Sequence, residues 1–127
     1  MVEPCDRWIM VKMSDYKDLL VWQKSMDLVQ RVYAMTKAFP KDELYGLTSQ
    51  VRRCAVSIPS NIAEGSNRSS KKEFKYFLHI SLGSAAELET QLLLAQRIGC
   101  ARDIETLLLE ITSIRKMINS LIRTLKD

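Results

Sequence analysis

The chain has 127 residues and a mass of 14.6 kDa, with 46% hydrophobic and 27% charged residues and a formal net charge of +4. These totals suit one soluble domain large enough to bury a core of its own. No apolar run approaches the ~18 residues of a membrane span, and four glycines with three prolines supply little turn chemistry for an all-β fold of many short strands.

Residues 1–15 contain Pro4 and no clean period, and are expected to be a leader of doubtful order before a bundle over residues 16–127; Met13 is an alternative start. The stretch MVEPCDRWIMVKM lacks the apolar core of a signal peptide, so a cytoplasmic location is expected. Cys5, Cys54 and Cys100 are odd in number, widely spaced and form no C-x-x-C, which argues against both a disulfide framework and a zinc site.

The first predicted helix carries Leu19, Trp22, Met26, Val29, Tyr33 and Thr36 at alternating steps of three and four, a bundle-type stripe. Phe39-Pro40 ends it, because the residue before a proline is pushed out of the α region. A short loop to Gly46 leads into a second helix with its core line at Leu47, Val51, Cys54, Ile58 and Asn61/Ile62, and Gly65 is expected to cap it in the left-handed conformation. Cys54 on that line reads as a small buried hydrophobe.

Pro59 interrupts this second helix. It lacks the backbone donor and crowds the carbonyl of Ala55, so a kinked second helix is expected, with Ser57, Ser60 and Asn61 at hand to hydrogen-bond the disturbed turn. The apolar arc of this helix is also wide. Ala55, Val56, Pro59, Ile62 and Ala63 extend it beyond what one stripe needs, and they are the expected contact surface for a second copy of the chain.

The third helix opens on a capping box, Ser70 with Glu73, and runs along Phe74, Leu78, Ser81, Ala85, Leu88, Leu92 and Ala95 until Gly99 stops it. Gly83 within it implies close approach of a neighbouring helix. Ser84, Glu87 and Gln91 form a polar row that could pair with Gln50, Ser57 or Asn61, or face solvent. The fourth helix repeats most regularly: Ile104, Leu107, Ile111, Ile114, Ile118, Leu121 and Leu125. Four amphipathic helices with short connections predict an all-α, antiparallel up-down-up-down four-helix bundle.

Enzyme chemistry finds no foothold in these residues. A di-iron site in a bundle needs inward Glu-x-x-His pairs, whereas the sole histidine, His79, has no glutamate three residues before it. There is no Gly-rich phosphate loop and no Ser/His/Asp or Cys/His set, so neither catalytic residues nor a cofactor or metal is expected.

The charge is concentrated. Residues 52–75 hold six basic residues, Arg52, Arg53, Arg68, Lys71, Lys72 and Lys75, against Glu64 and Glu73, and the rest of the chain balances. These six are the expected nucleic-acid-binding residues, gathered around the connection between helices 2 and 3; phosphate contacts of this kind give affinity and salt dependence rather than sequence specificity. A solvated, solubilising face is the plainer reading of the same charges.

The stretch LYGLTSQVRRCAVSIPSNIAEG, residues 44–65, resembles the signature of the four-helix bundle family of the 23S rRNA intervening sequence proteins. The likeness extends to DLLVWQKSMDLV, FPKDELYGL, GSAAELETQLLLAQRIG and IRKMINSLIRTLK, and so covers about residues 16–127. It departs at residues 1–15 and at Cys100–Asp103, where aromatic or acidic residues would be expected. The resemblance implies a homopentameric ring. It also implies kinship with the accessory variability determinant protein of diversity-generating retroelements, which works with a reverse transcriptase and nucleic acid. Two expectations follow: a nucleic-acid-binding accessory protein contacting RNA or DNA, or a scaffold docking a partner enzyme without touching nucleic acid. Five copies would carry a charge of about +20, a strong field for a polyanion.

Overall fold

A computed structural model describes residues 15–125, and the expected leader over residues 1–15 lies outside them apart from Asp15. Four long helices account for most of the chain: α1 (Leu20–Thr36), α2 (Ser49–Ser66), α3 (Lys71–Arg97) and α4 (Glu105–Thr124). No strand occurs among the described residues. Each helix packs against its neighbours in sequence, and α1 also packs against α4, which closes a four-helix bundle. The α2–α3 pair shares the most extensive contact.

The predicted rows of α3 and α4 form the core almost residue for residue. Phe74, Leu78, Ser81, Ala85, Leu88, Leu92 and Ala95 are all buried, as are Ile104, Leu107, Ile111, Ile114, Ile118 and Leu125; Leu121 is half-buried. Ser81 belongs in that row because its hydroxyl donates to the Ile58 carbonyl of α2 at 2.9 Å, so no polar group is stranded.

On α1 the buried row runs one residue out of step with the predicted one as far as Val32, and the two rows meet at Thr36, which is buried as expected. Val21, Ser25, Leu28, Val32 and Thr36 face inward, while Met26 and Tyr33 are each 40% exposed and Trp22 and Val29 lie at the margin. Ser25 disguises the true row in the sequence. Its hydroxyl donates to the Val21 carbonyl one turn back at 2.7 Å, which lets a polar residue occupy a fully buried position.

The helix ends divide into two kinds. The Ser70 hydroxyl accepts from the Glu73 amide at 3.1 Å, the expected N-cap of α3. At its other end Gly99 adopts φ +84°, with Gly99 N–H donating to the Gln96 carbonyl and Cys100 N–H to that of Ala95, a Schellman cap. Gly65 does not cap α2 in this way: it is buried inside the helix, which runs on to Ser66. A Cβ there would lie 2.7 Å from Phe77 Cβ and 3.0 Å from Phe74 Cδ1, so Gly65 serves close packing of α2 on α3. Gly83 reverses the other expectation, since a Cβ placed on it meets nothing within 4 Å.

Helix α2 passes through Pro59 without a break. The Asn61 amide donates to the Ser57 carbonyl at 2.8 Å and to the Ser57 hydroxyl at 2.9 Å, bracing the turn around the proline. A departure from helical backbone lies earlier, at Gly46, inside the wide turn Leu44–Thr48 that leads into α2. After α3, Asp103 takes φ 52° in the Cys100–Asp103 segment that departs from the family pattern, and α4 begins at Glu105. Between helices, the Arg31 guanidinium of α1 pairs with the Glu110 carboxylate of α4.

Candidate functional site

Arg52 and Arg53 sit in the second turn of α2, whereas Arg68, Lys71, Lys72 and Lys75 surround the α2–α3 connection. From Arg53 to the end of α2 the helix rises about 20 Å. The six basic residues therefore form two clusters, not the single patch expected around the connection.

In the cluster at the connection, Arg68 Nη2 donates to Glu64 Oε1 at 2.8 Å, and its guanidinium also lies 4.9 Å from the centre of the Phe77 ring. Its charge is thus partly used within the fold. Lys72 is exposed, and Lys71 and Lys75 are half-buried.

The other cluster is built differently. Arg52 Nε donates to the buried Thr36 hydroxyl at 2.8 Å, and the guanidinium lies over the Tyr33 ring at 4.8 Å from its centre. A planar guanidinium held by one hydroxyl and one ring is pre-oriented, and its remaining N–H groups keep their capacity for an oxyanion. Around it runs a surface groove of about 550 Å³ lined by Leu44, Tyr45, Ser49, Arg53, Val56 and Ser57 together with Tyr33, Thr48 and Arg52. No carboxylate is among these residues. Tyr45, 94% exposed, stands at the edge.

A second, mostly apolar hollow shares Val56 with the groove; in it Trp22, Met26 and Val29 of α1 face Val56, Pro59 and Ala63 of α2, with Tyr16 edge-on to Trp22 at 5.3 Å between centres. Here the expected self-contact residues separate. Ala55 and Ile62 are fully buried within the chain's own core and Pro59 is buried too, while Val56 is exposed and Ala63 half-buried. The width of the apolar arc on α2 is largely accounted for by its packing on both α1 and α3. What remains outward is completed by the α1 row that the sequence reading placed in the core.

A third feature lies between α2 and α3, where Gln50, Arg53, Cys54 and Ser57 face Ser84, Glu87 and Gln91 across a polar cleft. The expected polar pairing is present: the Ser57 and Ser84 hydroxyls are 2.8 Å apart. The Cys54 thiol donates to the Ser84 carbonyl at 3.1 Å and lies 3.8 Å from Glu87 Oε2. Burial, reinforced by the Glu87 charge and hydrogen bond, pushes the Cys54 thiol up to about 11. It is therefore protonated at neutral pH and is a poor nucleophile. Gln91 Oε1 is buried without a hydrogen-bond partner among the described residues.

Among the described residues no group of three or more His, Cys, Asp or Glu side chains could hold a metal ion, and no helix is long and apolar enough to cross a membrane.

The family profile of 23S rRNA-intervening sequence proteins matches residues 17–120. The chain belongs to that family. The chain is also similar to a crystal structure of a protein of unknown function from the S23 ribosomal protein family of Bacteroides thetaiotaomicron, with a TM-score of 0.77 and 28% sequence identity over 84% of this chain and 98% of that one. No curated protein matches it. Neither the family description nor the neighbour's name specifies an enzymatic activity.

Arg52 and Arg53 are legible in the sequence as basic residues, but their setting of Thr36, Tyr33 and Tyr45 is not. Thr36 is buried as its place in the predicted row of α1 requires, whereas Tyr33 of the same row is exposed and free to lie under the guanidinium. A signal for Tyr45 was present, since an aromatic residue between Leu44 and Gly46 falls outside every helical stripe.

Proposed function

We propose that this family member is a non-enzymatic, homo-oligomeric accessory protein that binds nucleic acid through its basic surfaces, with five copies as the expected assembly. The observation that carries the reading is the Arg52 guanidinium, fixed by Thr36 and Tyr33 in an open groove that contains Arg53 and no carboxylate. A cation held in place with no carboxylate among the described residues lining its groove is suited to phosphate. Lys71, Lys72, Lys75 and Arg68 extend the positive surface at the far end of α2.

The apolar hollow of Trp22, Met26, Val29, Val56, Pro59 and Ala63 supports self-association, because burying such a surface against a second copy is favourable. The same hollow favours the second reading, a scaffold that docks a partner enzyme such as a reverse transcriptase.

A salt-titrated binding assay with RNA and DNA, on the wild type and on an Arg52/Arg53/Lys71/Lys72 charge-removal variant, separates these readings. The first expects affinity that falls steeply with salt and a shallower slope in the variant. Absence of micromolar binding at low salt refutes it and leaves the scaffold. Light scattering tests the assembly, and a particle near the 14.6 kDa of one chain at working concentration refutes the ring.

A further inference from the structure

We propose that the groove around Arg52 is a subsite for an unpaired nucleotide, so that the protein binds single strands in preference to duplex; this rests on the nucleic-acid reading above and specifies the ligand of that site. Two independent features converge in the groove. Arg52, pre-oriented by Thr36 and Tyr33, and Arg53 offer N–H donors to a phosphate. Tyr45 offers a ring that is 94% exposed, beside the apolar side chains of Leu44 and Val56.

A phosphate alone would need only the arginines. A planar base attached to that phosphate also uses the tyrosine ring, because every base has a π face that stacks on an aromatic side chain. In a duplex that face is covered by neighbouring base pairs, and the ring has nothing to stack on. Nor does the fold itself use Tyr45, which is too exposed to contribute to the core and takes part in no ring contact among the described residues.

The test measures anisotropy of a labelled twelve-nucleotide uridine strand and of a mixed-sequence duplex of the same length. It uses the full chain as wild type, Tyr45→Ala, Tyr45→Phe and Arg53→Gln, with unlabelled UMP as competitor. Tyr45→Ala should weaken single-strand binding roughly tenfold or more with an unchanged salt slope and with duplex affinity retained. Tyr45→Phe should bind like wild type, and Arg53→Gln should reduce the salt slope by roughly 0.7. UMP should compete only weakly.

Wild-type binding that survives Tyr45→Ala overturns this inference while leaving the broader reading intact. Equal loss of single-strand and duplex binding also overturns it, as does a change in particle mass on Tyr45→Ala, which would make the ring a subunit contact. UMP competing as well as the strand assigns the groove to free nucleotides instead. Failure of the wild type to bind any nucleic acid refutes the broader reading itself.

Discussion

Gly65 on α2 lies so close to Phe77 on α3 that a Cβ on the glycine would stand 2.7 Å from the phenylalanine Cβ. Phe74 closes the same position, with its Cδ1 at 3.0 Å and its carbonyl oxygen at 3.3 Å. Backbone and Cβ atoms cannot swing aside as a flexible side chain can. Gly65→Ala should therefore destabilise the bundle despite its gain in helix propensity, by about 1–3 kcal/mol as for overpacking. Urea unfolding followed by circular dichroism reads this directly, and a variant at least as stable as wild type would contradict it.

Gly83 should respond with the opposite sign. It lies inside α3 with open space where a Cβ would go. Gly83→Ala should raise stability by about 0.5–1 kcal/mol, the propensity difference between the two residues. A destabilised variant would mean that another molecule packs against this turn.

The buried row of α1 is tested by two truncations of similar size. Leu28 is fully buried and Met26 is 40% exposed. Leu28→Ala should cost about 2–5 kcal/mol, while Met26→Ala should cost the single chain less than about 1 kcal/mol. Equal losses would restore the row predicted from sequence.

The Ser57–Ser84 pair ties α2 to α3 through hydroxyls 2.8 Å apart. A double-mutant cycle with Ser57→Ala and Ser84→Ala should give a coupling energy of about 0.5–1.5 kcal/mol. Strict additivity would show that the pair contributes only through its separate bonds.

Cys54 gives a pH dependence of known sign. Its thiol is pushed from an ordinary 9.0 to about 11 in the folded chain, by burial first and by Glu87 second. Below pH 9 folded and unfolded chains both hold this proton, so its contribution is constant. Between pH 9 and 11 the unfolded chain loses the proton while the folded chain keeps it, and stability falls as pH rises. Wild type should lose more stability than Cys54→Ala across that window in parallel urea titrations. Parallel curves would remove the effect.

How far sequence patterning reaches is clearest in α3 and α4. Their rows alternate in steps of three and four with apolar residues or a small serine at every position, and packing buries nearly all of them. The caps at Ser70 and Gly99 were legible for the same reason: each depends on contacts within a few residues of the chain. On α1 the predicted row and the buried row differ by one residue over most of their length. Only the packing of α1 against α2 and α4 selected the one containing Ser25, whose hydroxyl is satisfied by its own helix.

The candidate site shows the same division. Composition along the chain located the positive excess within residues 52–75, and the apolar period established four helices and their membership of a bundle. The rise of α2 then separated Arg52 and Arg53 from Arg68 to Lys75, and the tertiary structure brought Thr36, Tyr33 and Tyr45 around the first pair. It also assigned Gly65 to a helix contact and Gly83 to open surface. Periodicity and capping are local properties, fixed by neighbours within a turn or two. Which of two faces is buried, and which distant side chain orients an arginine, depends on where other helices lie, and no single segment of this sequence carries that information.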